Sequence, residues 1–167
     1  HYMIVTARAC RLVAALAALV ALVSGAQGAS VTLSVADGER IADQVTVTAR
    51  VVGFEDTGVR QVVFSVDGVE RSTDSRIPYT FDWDTIHESD GQHRLTAVAT
   101  DMGGATARAE VNVVVDNELN KGAEYHARIA LDARQAGDLA RATRHARRAI
   151  KIDPTNLSAA RALASIH

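Results

Sequence analysis

Aromatic side chains occupy every second position of Tyr79-Thr-Phe-Asp-Trp83, and apolar ones every second position of Leu95-Thr-Ala-Val-Ala99. A period of two places alternate side chains on opposite faces of an extended chain. Each run therefore predicts a strand with one face in a core. The only Trp of the chain and two of its six other aromatics lie in the first run, which anchors the core there.

The same alternation recurs on both sides. Val31-Thr-Leu-Ser-Val35 alternates. Val45, Val47, Ala49 and Val51 share a face, with Thr46, Thr48 and Arg50 opposite. Val62, Phe64 and Val66 form a further inward row. Ala107, Ala109, Val111, Val113 and Val115 form the last, with Arg108, Glu110 and Asn112 outward. Turn signals separate these runs at Asp37-Gly-Glu-Arg40, Asp56-Thr-Gly58 and Asp67-Gly68. Asp-Gly suits a two-residue hairpin because glycine takes the positive φ of a type I′ turn. Six or seven short strands without helical period predict a β-sandwich over residues 30–117.

Residues 1–29 read as an export signal. His1 and Tyr2 precede Met3 and are taken as non-native. Arg8 and Arg11 are followed by the apolar run Leu12–Val23 and the small residues Ser24-Gly-Ala-Gln-Gly-Ala29. That order is a secretory signal peptide, with cleavage after Ala26 or Gly28. The apolar run is shorter than the ~20 residues a spanning helix needs, so no membrane span is expected after cleavage. Cys10 is the only cysteine and precedes the run, which argues against a lipoprotein, an intrachain disulfide and a cysteine metal site. The expected location is periplasmic, cell-surface or extracellular.

The pattern changes over residues 118–167. Ala123–Asp132 is Ala-rich and helical, Gly137 stops that helix, and Asp138 caps the next. Leu139–Ile152 predicts a second helix, ended by Asp153-Pro154, and a third begins at Asn156. Charge divides along the same line. Ser30–Asn117 holds 15 acidic and 7 basic side chains, whereas Glu118–His167 holds 5 acidic and 9 basic ones. Two units with different surfaces follow from that division.

Two resemblances sharpen the reading. Val62-Val-Phe-Ser-Val-Asp-Gly68, Pro78-Tyr-Thr-Phe-Asp-Trp-Asp-Thr85 and Asp90-Gly-Gln-His-Arg-Leu-Thr-Ala-Val-Ala-Thr-Asp101 together resemble the bacterial immunoglobulin-like domain. That family implies a repeat or appendage of secreted enzymes and surface proteins. It usually has Gly-Asn after the last aspartate, where this chain has Gly104-Ala105, and like most of the group it lacks the antibody-type cysteine pair. Ala149-Ile-Lys-Ile-Asp-Pro154, with small residues at Ala130, Ala142 and Ala149 and the Gly137-Asp138 turn, resembles the end of a tetratricopeptide repeat. His126 and Ala133 stand where that family favours Trp and Tyr. The resemblances imply an all-β immunoglobulin-like sandwich plus a small all-α helical-repeat segment of one repeat and part of a second. One repeat cannot bury its apolar face alone. The helices are expected to pair with another chain or to continue into a longer protein, rather than to dock on the sandwich.

Few residues suggest chemistry. His87-Glu88 lacks a second histidine four residues on, so it reads as loop surface rather than a metalloprotease motif. His93 shares the inward parity of Leu95 and reads as a packed strand-end histidine. Asp82, Asp84, Asp90 and Asp101 would bind calcium if they converged at one end of the sandwich. Solvated loop acids are the preferred reading, and no cofactor is expected. Arg141, Arg144, Arg148 and Lys151, with Arg147 adjacent, recur at helical spacing and read as a solvated outer face. The repeat resemblance implies a ligand groove lined by Glu124, Arg128, Leu131 and Arg134, whose arginines suit a peptide carboxylate.

The function expected is non-catalytic: an exported interaction or scaffolding protein of the envelope, with the sandwich as spacer and the helices as protein-binding or self-associating element. No nucleic-acid partner is expected, since no aromatics interleave the basic residues. The alternative is an accessory N-terminal fragment of a secreted polysaccharide- or peptide-degrading hydrolase.

Overall fold

The computed structural model describes residues 28–164. The expected signal peptide lies outside the described residues except for its last two positions, and so do residues 165–167, into which the sequence reading carries the third helix. Eight strands come first: β1 (Ser30–Leu33), β2 (Arg40–Ile41), β3 (Gln44–Val52), β4 (Val59–Val66), β5 (Val69–Asp74), β6 (Tyr79–Asp84), β7 (Gly91–Asp101) and β8 (Thr106–Val115). They form a three-stranded sheet in the order β1-β3-β6 and a five-stranded sheet in the order β2-β8-β7-β4-β5. Every pairing is antiparallel except β2 with β8. The eighth strand exceeds the six or seven expected because β2 has two residues, too few to show a period.

The alternation seen in the sequence is the core. Val62, Phe64, Val66, Leu95, Ala97 and Ala99 are 0% exposed on the larger sheet and face Val47, Tyr79, Phe81 and Trp83 of the smaller. The Phe81 ring stacks on Trp83 at a centroid distance of 6.0 Å and meets Phe64 at 5.8 Å. Asp67 and Gly68 have φ of 51° and 81°, the two positive values that a type I′ hairpin requires.

Polar groups around the Asp67 hairpin are paired. The Asp67 carboxylate accepts from Arg94 N–H at 2.8 Å and meets His93 Nδ1 at 2.6 Å. Burial pulls His93 down, but the Ser89 carbonyl and the Asp67 carboxylate outweigh it and hold the ring above its usual value. His93 is thus a packed strand-end histidine. The reading of His87-Glu88 as loop surface is half corrected. His87 is exposed, but Glu88 is buried, where it accepts from Trp83 Nε1 at 3.3 Å and pairs with Arg71 at 3.0 Å. A carboxylate survives burial only with such partners.

Three helices follow: α1 (Ala123–Gln135), α2 (Leu139–Ile152) and α3 (Leu157–Ala164). Gly137 takes φ of 79° between α1 and α2, and the Asp138 side chain accepts from Arg141 N–H at 3.0 Å to cap α2. Ala130, Ala142, Ala146, Ala149, Ala159 and Ala162 are 0% exposed, so the three helices pack through methyl groups.

The segment between the units is structured. Asp90 accepts from the N–H groups of Asn117 and Leu119, each at 2.8 Å. Asn117 is 0% exposed, receives Asp43 N–H on Oδ1 at 2.8 Å, and donates from Nδ2 to the Thr85 carbonyl at 3.2 Å. Asn117→Ala takes away the acceptor of Asp43 N–H and one of the two donors to the Thr85 carbonyl, which keeps Glu88 N–H at 3.0 Å, and is expected to cost about 2 kcal/mol in urea unfolding followed by circular dichroism. A loss within error would mean that water replaces the amide.

Candidate functional site

The sequence expectation that the helices seek another chain rather than the sandwich is corrected by the contact between α2 and the end of the β-domain. Asp43, just before β3, has φ of 57°. Its backbone is tied to Asn117 and to Thr85, whose N–H and Oγ1 donate to the Asp43 carbonyl at 2.7 and 2.9 Å. That turn presents its carboxylate to α2. Arg148 answers with two parallel bonds, Nε to Oδ1 at 3.0 Å and Nη2 to Oδ2 at 2.7 Å, while Nη1 reaches Glu118 Oε2 at 3.0 Å. All three guanidinium nitrogens are used, in the fork geometry that suits arginine and not lysine.

Neighbouring residues extend the junction. Arg147 pairs with Asp84, and Arg144 lies 3.8 Å from Asp43. Lys151 donates to the His87 carbonyl at 3.2 Å. The solvated outer face expected of this basic row is therefore corrected in part. Arg148 is 7% exposed and Arg147 is half-buried, whereas Arg141, Arg144 and Lys151 are exposed. Helical spacing places Arg144, Arg148 and Lys151 on one face but does not show what that face meets. The signal available in the sequence was the opposite charge of the two units. The acidic sandwich supplies Asp43 and Asp84, the connecting segment supplies Glu118, and the basic helix supplies their partners.

The calcium arrangement is also corrected. Asp90 precedes β7 and Asp101 ends it, so eleven extended steps hold them roughly 35 Å apart. Asp82 accepts from Thr46 Oγ1 at 2.7 Å, Asp84 pairs with Arg147, Asp90 holds the connecting segment, and Asp101 accepts from Ala105 N–H at 2.7 Å. A hydrogen bond from Thr57, joined by the Ala105, Gly103 and Gly104 amides, outweighs desolvation and keeps Asp101 below the usual carboxylate range. Among the described residues no group of three or more His, Cys, Asp or Glu side chains is placed to hold a metal.

The residues implied for the groove share α1 but differ in surroundings. Glu124 is exposed and accepts from Asn156 Nδ2 at 3.0 Å, which ties α1 to the start of α3. Arg128 is exposed, Leu131 is half-buried against the Ala130, Ala146 and Ala162 cluster, and Arg134 is half-buried. Leu157, at the first turn of α3, is 71% exposed.

Residues 20–97 match the family of the bacterial Ig domain. The described strands continue beyond that match to Val115. Fibronectin(III)-like modules of Clostridium thermocellum CbhA are similar over 51% of this chain and 93% of their own, at 28% identity and a TM-score of 0.45. The endo-beta-1,4-mannanase of Thermotoga petrophila is similar over 53% of this chain, at 21% identity and a TM-score of 0.47. That of Cellulomonas fimi, a double mutant, is similar over 52% of this chain, at 29% identity and a TM-score of 0.37. The chain spans 20% and 18% of these two mannanases. No curated protein matches the chain. The protein contains an immunoglobulin-like β-sandwich followed by three helices. No described helix is long and apolar enough to cross a membrane.

Proposed function

We propose that this chain is an exported, non-catalytic interaction module, in which the immunoglobulin-like sandwich acts as a mount and the tetratricopeptide-like helices as the protein-binding element. The observation that carries the reading is the ionic seat of α2 on the sandwich. Arg148 and Arg147 spend one helix on fixing the helical unit to the β-domain. The outer surface of α1 and α3, with Arg128 and Leu157 exposed and Leu131 half-buried, would remain for a partner. A protein segment bearing carboxylates and an apolar side suits it. The arginines would supply charge complementarity and orientation, and the exposed Leu157 the apolar burial. An export signal in residues 1–29, as their sequence reads, would put this work at the periplasm, cell surface or outside.

The test is pull-down from an envelope extract with the wild-type chain and with Arg128→Glu plus Arg134→Glu. Circular dichroism checks that both are equally helical. A captured protein that the wild type holds and the variant loses is the expected result. Capture that is equal in both would overturn the assignment of the α1 surface. A dimer by light scattering, lost in the variant, would make the partner a second copy of this chain.

A further inference from the structure

His126 on α1 is fully enclosed, and both of its ring nitrogens are engaged. Nε2 lies 2.9 Å from the Glu118 carbonyl oxygen, and Nδ1 lies 2.9 Å from Nδ1 of His145 on α2. A carbonyl oxygen only accepts, so Nε2 carries the hydrogen. The neutral His126 ring then has its lone pair at Nδ1, and His145 donates its Nδ1–H into it. One backbone carbonyl thus sets the tautomers of both rings, and one hydrogen occupies the space between them.

One hydrogen already fills the space between the two Nδ1 atoms, so a further proton goes to the outer Nε2 of His145 and makes a cation among cations. The groups facing that ring are Arg141 and Arg148 of α2 and His126 of α1, with Tyr125 at the edge of His126, and Glu118 of the connecting segment. Asp43 of the sandwich is occupied by Arg148. Burial first, then Arg148, His126 and Arg141, push His145 down to about 4 against the opposing pull of Glu118.

We propose that the His126–His145 pair is a proton-sensitive latch, which holds α1, α2 and the connecting segment together while the His145 ring is neutral, so that acid loosens the helical unit and leaves the sandwich folded. The sign follows from linkage. The open form binds protons at His145 like an ordinary histidine, whereas the closed form does not. The advantage of the closed form is complete above the ordinary histidine value of 6.5 and is lost progressively as pH falls toward about 4. With allowance for partial solvent screening, the opening equilibrium is expected to rise about tenfold between pH 7 and pH 5. The inference holds whether or not the helices bind a partner.

Hydrogen exchange on the full chain tests it, with β4 and β7 amides as internal reference and rates corrected for intrinsic pH dependence. Protection of the α1 and α2 amides should fall about tenfold more than that of the reference between pH 7 and pH 5. His145→Asn keeps an N–H donor near His126 but does not titrate, and its helices should keep their protection. Flat protection in the wild type, or an equal fall in the variant, overturns the latch. Should the variant not fold, NMR titration of the wild-type rings decides. His145 staying neutral at pH 5.5 supports the latch, and a ring titrating at the usual histidine value with unchanged exchange overturns it.

Discussion

Arg148→Met is expected to free the helices from the sandwich without unfolding the sandwich. The guanidinium is 7% exposed and is the common partner of Asp43 and Glu118. Methionine keeps much of the length and removes the charge. Asp43, whose side chain is 18% exposed, is then left with Arg144 at 3.8 Å as its nearest cation. Removing one partner of a buried ion pair costs about 3–5 kcal/mol, mostly because the other charge stays desolvated and unpaired. The loss falls on the junction, so the signature is a separate, earlier melt of the helical signal at 222 nm while the β signal persists. Asp43→Asn in the same background should recover part of the loss, since it removes the stranded charge. A single cooperative melt at the wild-type midpoint would show that the junction contributes nothing to docking. Lysine at 148 should behave closer to methionine than to arginine, because one ammonium cannot serve both carboxylates in a fork.

Trp83→Ala is expected to destabilise the sandwich itself, by about 4 kcal/mol, the range for large aromatic truncations in a packed core. The indole is 2% exposed and stacks on Phe81, and its Nε1–H is one of two partners that satisfy the buried carboxylate of Glu88. Truncation therefore opens a cavity and strips a hydrogen bond from a carboxylate at once. Trp83→Phe separates the two effects, since it retains most of the volume and should cost about 1–2 kcal/mol. Denaturant unfolding followed by circular dichroism reads both variants. An alanine variant within about 1 kcal/mol of wild type would mean that the neighbouring rings collapse into the space and that Trp83 does not anchor the core.

Most of the sandwich was legible because half-buried strands write themselves in a period of two. Tyr79, Phe81 and Trp83 with Leu95, Ala97 and Ala99 could be assigned to the core before any coordinate was known, and they are buried. The Asp67-Gly68 hairpin was equally local, since only residues tolerant of positive φ fit that turn. The bounds of α2 were legible too, from an aspartate cap and a following proline. β2 was not, because two residues joined in parallel to β8 carry no pattern of their own.

The candidate site divides along the same physical line. Sequence alone determined which residues are basic, that they share a helical face, and that the sandwich before them is acidic. Those are properties of composition and of a 3.6-residue turn. Only the tertiary structure decided that this face is a seat and not a solvated surface, that Asp90 and Asp101 lie at opposite ends of one strand, and that His126 meets His145. Each of these joins groups from elements far apart in the chain. Arg148 and Asp43 are separated by 105 positions, and no local periodicity encodes their meeting. It depends on how two finished surfaces dock, which follows from where charges can be paired when water is removed.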